Sequence, residues 1–455
     1  MGSELDIVFG AFRLMGSAVN TGVSLWQKGQ AKRGIQDLHD QCYADNVQHR
    51  RILQAQEYSG QLPMLKNEVL LCTPSREEIR LALLPPKKIG TMQSAIVSGG
   101  KAAVRNRSVF ALVENTLAHD VPIIALHCNN ENLVQTLSSG MYGSRINIVE
   151  QGHMSYNPFF GMKPSQISKM LYDTIPEQYK VGLGTRDVIG VMAEVIFARN
   201  MIPGPATMSS CPIFELKDLI GKMAGKGYLD QAKARRLTAD YVSSQGEVRA
   251  LSHFLTDLNS QLARLTNENG RDGCDINEAI KNRDAVLINV GTNSNDLVIA
   301  LVIHHLKLLF DQGSQFLLLL DGIDLAKYKD LQELVIHNRT GYYLSYDDLY
   351  VSVGSDEKMF STVVGDVGKV IIFSTASGFT SAQWSKYLGD YERHEPKDGI
   401  NIGSQGVIGA NVSNNYSVDI KREARVPPEI LTQLQGNQAC VYDGTSNTIM
   451  FVDIT

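Results

Sequence analysis

Phe316-Leu317-Leu318-Leu319-Leu320-Asp321-Gly322-Ile323-Asp324-Leu325 is the stretch that decides the fold. An unbroken apolar run ending in a carboxylate reads as a strand buried on both faces, with Asp321 delivered at its C-terminal end. Three other runs share this form: Asp284-Ala285-Val286-Leu287-Ile288-Asn289-Val290, Lys369-Val370-Ile371-Ile372-Phe373-Ser374 and Val121-Pro122-Ile123-Ile124-Ala125-Leu126-His127. Helical stretches lie between them, so the class is α/β with a parallel sheet. Ligands of such sheets sit beyond the C-terminal strand ends, which makes Asp321 a candidate site residue.

The 455 residues suffice for two or three domains with a substantial core. A net charge of −5 gives no global attraction to nucleic acid, so DNA contact would need a local basic stripe. The six cysteines are scattered without a C-x-x-C pair, a usage that fits a reducing cytosol. Met1-Gly2-Ser3-Glu4 lacks the basic region of a secretory signal. Val8, Phe12, Met15, Val19, Val23 and Trp26 recur at helical spacing between Ile7 and Trp26. That stripe suits a helix packed on protein, a helix lying on a membrane surface, or a weak span.

Along the chain, residues 1–60 read as a charged helical arm, and 61–164 as the first half of a sheet domain. Arg76 to Leu84 reads as a short helix closed by Pro85-Pro86. Ala95-Ile96-Val97-Ser98-Gly99-Gly100-Lys101-Ala102 reads as a strand, a glycine turn and the start of a helix running to Ala118. This is the layout of a phosphate-binding loop, in which glycines let amides face an anion and a lysine adds charge. The full pattern wants a glycine where Ala95 stands and a magnesium-binding hydroxyl where Ala102 stands. Residues 165–280 carry helices and no convincing strand, as a helical domain inserted into the sheet. Residues 281–455 complete the sheet and end in a tail rich in Asn, Ser and Gly from Ile400 onward.

The order of these features resembles the TraG/TraD-type coupling proteins of conjugation and type IV secretion, in the FtsK/HerA branch of RecA-like ATPases. The resemblance covers most of residues 90 to 445. Gly99-Gly100-Lys101 stands where the family has its phosphate loop, Asn157-Pro158-Phe159 where it has an Asn-Pro turn, and Leu320-Asp321 where it has its acidic strand end. Asn338-Arg339-Thr340-Gly341 is similar to its Arg-x-x-Gly segment, Ser381 to Gly389 to its late Ser-x-x-Leu-Gly helix, and Arg425-Val426-Pro427-Pro428-Glu429 to its closing segment. The resemblance implies a RecA-like, P-loop NTPase-type fold with an inserted all-α domain and a homo-oligomeric, hexameric ring. It implies ATP and magnesium as cofactors, held by Ser98, Gly99, Gly100, Lys101 and Ala102, with Asp321 on the metal and Arg339 as an arginine finger. The implied partners are other apparatus subunits and a protein or nucleoprotein substrate, with DNA among the candidates. The implied location is the cytoplasm at the inner face of the membrane, where the N-terminal helix would make peripheral contact.

The departures are chemical. Ala102 replaces the hydroxyl, and Asp321-Gly322 replaces an Asp-Glu pair whose Glu polarises water. Phosphoryl transfer is positioning and charge stabilisation, so these losses cripple hydrolysis. Asp324 could stand in for the Glu but is expected on another side of the turn. Arg105 and Arg107 could add phosphate charge, and Lys233, Arg235 and Arg236 could form a nucleic-acid or substrate-docking patch, but both groups read first as solvated helix faces. Three readings follow: an apparatus component with weak or no ATP hydrolysis, an active ring ATPase translocating DNA or protein, and an unrelated α/β structural protein whose glycine turn is accidental. The third is favoured if the strand ending at Asp321 does not lie beside the one ending at Ser98.

Overall fold

The computed structural model describes residues 29–52, 70–72 and 78–454, apart from residues 31, 86–87, 92, 180–181, 183, 202, 267–272 and 405–409. The apolar stripe between Ile7 and Trp26 lies outside them. Ten strands form the main sheet, numbered in chain order: β1 Ala82–Leu84, β2 Ala95–Ser98, β3 Ile123–His127, β4 Ile146–Val149, β5 Ala285–Asn289, β6 Leu317–Asp321, β7 Tyr342–Tyr346, β8 Lys369–Ile372, β9 Gln438–Asp443 and β10 Thr448–Ile454. Their spatial order is β1-β10-β9-β8-β2-β7-β6-β3-β5-β4. From β8 to β4 every neighbouring pair is parallel, while β9 and β10 run antiparallel as a closing hairpin. This is the expected α/β, mostly parallel class.

The run that opens the sequence reading is β6, and it is buried on both faces. Leu317 and Leu319 join Val109, Leu112 and Leu117 of the helix Ala102–Ala118 and Leu133 of the helix Glu131–Ser138. Leu318 and Leu320 join Val298, Leu301 and Val302 of the helix Asp296–Asp311 on the other face. Each such leucine contributes about 2 kcal/mol of burial, which explains why polar residues enter only at the strand ends. Between β4 and β5 lie the helices Pro164–Thr174, Gly184–Ala198, Pro205–Ser209, Leu216–Gly225, Gln231–Ser243 and Val248–Leu262. Ile189, Met192, Leu251 and Phe254 there share one apolar cluster with Leu318 of the sheet.

Two stretches differ from the sequence reading. Arg76 to Leu84 is not a helix: Glu78–Arg80 pairs antiparallel with Leu70–Cys72, and β1 pairs with β10. Ile79, Leu81 and Ala82 are buried, and tertiary pairing overrides the helical reading of a short apolar run. The Asn/Ser/Gly-rich tail holds a long antiparallel hairpin, Asp390–Ser404 with Ala410–Ala424, separate from the main sheet. Cross-strand ion pairs brace its base: Arg393 with Glu423 at 3.0 Å and Lys397 with Asp419 at 2.9 Å.

The N-terminal helix through residues 32–50 packs on that base. Asn46 imitates a strand neighbour, donating to the His394 carbonyl at 3.0 Å and accepting from the His394 amide at 2.7 Å. Arg50 Nε donates to the Arg425 carbonyl at 2.7 Å, and Arg425 Nε returns a bond to the Arg50 carbonyl at 2.8 Å. Arg425 also donates to the Leu388 carbonyl at 3.2 Å and to Asn447 Oδ1 at 2.8 Å. Among the described residues, no helix is long and apolar enough to cross a membrane.

His305 lies fully in the core with its Nδ1 3.0 Å from the Tyr156 hydroxyl. Burial pushes its pKa down to about 3, so it is neutral in the fold. The unfolded chain binds a proton there once the pH falls below the ordinary histidine value, so stability present above about pH 6.5 is lost as pH drops towards 3. At about pH 5 the loss should reach about 2 kcal/mol, and His305→Gln should flatten that part of the slope in urea titrations.

Candidate functional site

The strand that enters the glycine turn, β2, is hydrogen-bonded into the sheet on both sides as far as Ser98, which aligns with Tyr346 of β7 and Ile372 of β8. The turn itself is therefore two residues long. Gly99 and Gly100 take φ of +85° and +63°, conformations open to glycine at little cost. A side chain on Gly99 would meet the Ser374 and Phe373 carbonyl oxygens at 2.7 and 2.8 Å. The amides of the turn are occupied: Gly99 donates to the Tyr346 carbonyl at 3.0 Å and Gly100 to the Ser374 carbonyl at 2.9 Å. The glycines thus seat the turn against the neighbouring strand ends rather than opening it around an anion.

Lys101 precedes the helix Ala102–Ala118 and is exposed, with no side-chain cap bond. One turn further on, Arg105 folds back over the glycines. Its Nη1 donates to the Gly100 carbonyl at 2.7 Å and to the Gly99 carbonyl at 3.3 Å. Burial lowers the Arg105 pKa, while the charges of Asp321 and Asp347 oppose that shift. An arginine stays protonated under such opposition, so a fixed positive charge lies beside the turn.

Asp321, Ser345 and His127 stand in one row across β7, β6 and β3 and face the helix Ala102–Ala118. Asp321 is 6% exposed and accepts from Asn130 Nδ2 at 2.8 Å. Asn130 also caps the helix Glu131–Ser138, accepting from the Leu133 amide at 3.1 Å, and its amide group pairs with that of Asn106 at 3.0 Å. The Asn130 main-chain amide donates to His127 Nδ1 at 3.3 Å, which puts the imidazole proton on Nε2. Burial lowers the His127 pKa and keeps the ring neutral. Burial also pushes the Cys128 thiol up to about 11, which removes it as a nucleophile at neutral pH.

These strand ends open onto a crevice of about 680 Å³. Ala102, Arg105, Asn130, Asp321, Asp324 and Asp347 are among its lining residues. Asp324, expected on another side of the turn, lines the same crevice as Asp321. Arg105, read as a solvated face, is half-buried within it. Ser98, Gly99, Gly100 and Lys101 do not line it; of the five residues expected to hold a nucleotide, only Ala102 does. The strands of Asp321 and Ser98 are not neighbours, because β7 lies between them, but both reach this end of the sheet. Taken alone that separation favours the third reading, but the likeness of the whole fold reported below weighs against it.

Arg339 sits between the helix Lys329–His337 and the start of β7, at the opposite end of the sheet from Asp321. There it lines a separate cavity of about 840 Å³ with His337, Asp366, Tyr387 and Tyr442. Within one chain it cannot act on the same group as Asp321. Gly322, where a second carboxylate would stand, has φ of +73° and bonds through its amide to the Ser345 carbonyl at 3.0 Å. A glutamate would hold that backbone only with strain. No group of three or more His, Cys, Asp or Glu side chains among the described residues could hold a metal ion. The residues present do not fit a magnesium nucleotide: the Gly99 and Gly100 amides are spent, the hydroxyl is missing, and four carboxylates face one cation in the lining.

Asn106 and Asn130 are site residues that sequence reasoning did not single out, and Arg105, read first as a solvated face, belongs to the site as well. Helical side chains lean towards the helix N-terminus, so an arginine four positions after the turn's lysine was placed to reach back.

No protein-family model matches the sequence, and no curated protein matches it. Solved structures do resemble it. The plasmid coupling protein TrwB in complex with the non-hydrolysable GTP analogue GDPNP superposes with a TM-score of 0.51 at 13% identity, over 89% of this chain and 93% of that one. TrwB with the non-hydrolysable ATP analogue ADPNP gives 0.50 at 14% identity over the same shares. The chain therefore has the RecA-like coupling-protein fold that its order of features resembles.

Asn130→Ala removes both a helix cap and the partner of a buried carboxylate, and should cost about 2–3 kcal/mol in denaturant unfolding. Lys101→Ala, at an exposed position, should stay within about 0.5 kcal/mol of the wild type in the same measurement.

Proposed function

We propose that this chain is a coupling-protein-like component of a conjugation or type IV secretion-type apparatus, with little or no ATP hydrolysis. One combination carries the reading: a coupling-protein fold spans 89% of the chain, while Ala102 and Gly322 stand where the chemistry needs a hydroxyl and a carboxylate. The likeness alone speaks for the fold, and the function is our extension of it. In this reading the helices between β4 and β5 recruit the substrate, and the chain assembles with copies of itself and with other apparatus subunits at the cytoplasmic side of a membrane. The exposed Arg339 then has a role only towards another molecule.

The basic cluster of the helix Gln231–Ser243 favours a protein substrate over bare DNA. Lys233 is paired with Glu194 at 2.7 Å, and Arg236 lines a groove with Asp187, Glu194 and Asp240. Phosphate-tracking surfaces need unopposed cations, and Lys233 and Arg236 have acidic neighbours.

The reading is tested in the native host by deleting the chain and measuring transfer or secretion. Transfer should fall at least tenfold and return fully with either the wild type or Lys101→Ala. Unchanged transfer after deletion would sink the apparatus role. Failure of Lys101→Ala to restore it would instead support a working ATP-driven pump.

A further inference from the structure

We infer that the crevice at the strand ends is closed to nucleotides, and that the Arg105 guanidinium is a resident cation serving where a phosphate-binding turn would use lysine and metal. This inference concerns the site alone and stands whether or not the chain serves a secretion apparatus.

Four independent features carry it. First, a turn that wraps a phosphate needs several residues between strand and helix whose amides converge on the anion. Here the strand is paired on both sides up to Ser98, and only Gly99, Gly100 and Lys101 precede the helix. Second, the Gly99 and Gly100 amides already donate to the Tyr346 and Ser374 carbonyls. Freeing them would leave two carbonyls unpaired at buried strand ends.

Third, Arg105 turns its charge inward on the carbonyls of both glycines, and the charges of Asp321 and Asp347 favour its protonated form. Those carbonyl oxygens face the guanidinium, and a phosphate approaching the two glycines would have to break this arrangement. Fourth, Glu131, Asp321, Asp324 and Asp347 line the crevice against Arg105 as its one cation among the described lining residues. A polyphosphate would enter a field of its own sign. Asp321 is also already engaged, through Asn130 Nδ2 at 2.8 Å.

The same contacts describe what Arg105 does. Both glycine carbonyls are held by the one Nη1, on a planar group that keeps its charge when buried, whereas a lysine ammonium is a point charge that loses its proton more readily there. The arginine therefore fastens the first turn of the helix Ala102–Ala118 to the glycines that follow β2, with its charge answering Asp321 and Asp347.

The test is calorimetric titration of the full chain with ATP, ADP and GTP, with and without magnesium, paired with thermal melts of Arg105→Ala and Arg105→Lys. The wild type should give no saturable heat with any nucleotide up to about 1 mM. Arg105→Ala should melt lower by about 3 °C and regain most of that loss with methylguanidinium but not with tetramethylammonium. Arg105→Lys should recover less than half of the loss. Saturable, magnesium-dependent nucleotide binding by the wild type would overturn the inference. So would an Arg105→Ala protein that melts like the wild type, or one whose loss methylguanidinium leaves unchanged.

Discussion

Carboxylates gathered at one end of a parallel sheet repel each other unless a cation answers them, and in this chain the answer is covalently attached. Arg105 lies between the glycine turn and the ends of β6 and β7, bonded to two main-chain carbonyls and close to Asp321 and Asp347. Every neighbouring feature conforms to it. The turn is short and its amides are taken up by adjacent strands. Asp321 leans on Asn130, which also starts the next helix. His127 stays neutral because nothing nearby gains from its charge more than burial takes away.

The sheet was legible because its signal is strong and local. Runs such as Leu317 to Leu320 have no exposed face, so apolar continuity alone marks them as interior strands. The helices after Lys163 were legible from their periodicity. The stretch from Arg76 to Leu84 was not, since three-residue strands hold no internal period and exist only through partners distant in sequence. The hairpin from Asp390 to Ala424 was hidden by its composition. Asn, Ser and Gly are poor strand formers, and its base is fixed by cross-strand charges that become neighbours only after pairing.

The site was half legible for a related reason. Asp321 and the glycine turn could be found because strand ends in α/β sheets are marked by an abrupt change from apolar to polar residues. What the turn does could not be found that way, because glycine serves equally to open a loop around an anion and to press it against a neighbour. The oxygens of Phe373 and Ser374, nearly 275 residues away in sequence, decide between the two. Position 322 shows the same limit. Its glycine reads as a missing catalytic residue, and the fold shows a backbone bend that would reject one.

The reciprocal bonds between Arg50 and Arg425 bear on how the molecule carries load. Arg425 lies at the root of the long hairpin and grips main-chain or side-chain oxygens at residues 50, 388 and 447. A tug on the hairpin therefore spreads into the first helix, the end of the helix Gly378–Leu388 and the β9–β10 turn together. The hairpin is rooted like a tent pole with three guy lines, one of which runs to the antiparallel edge of the main sheet.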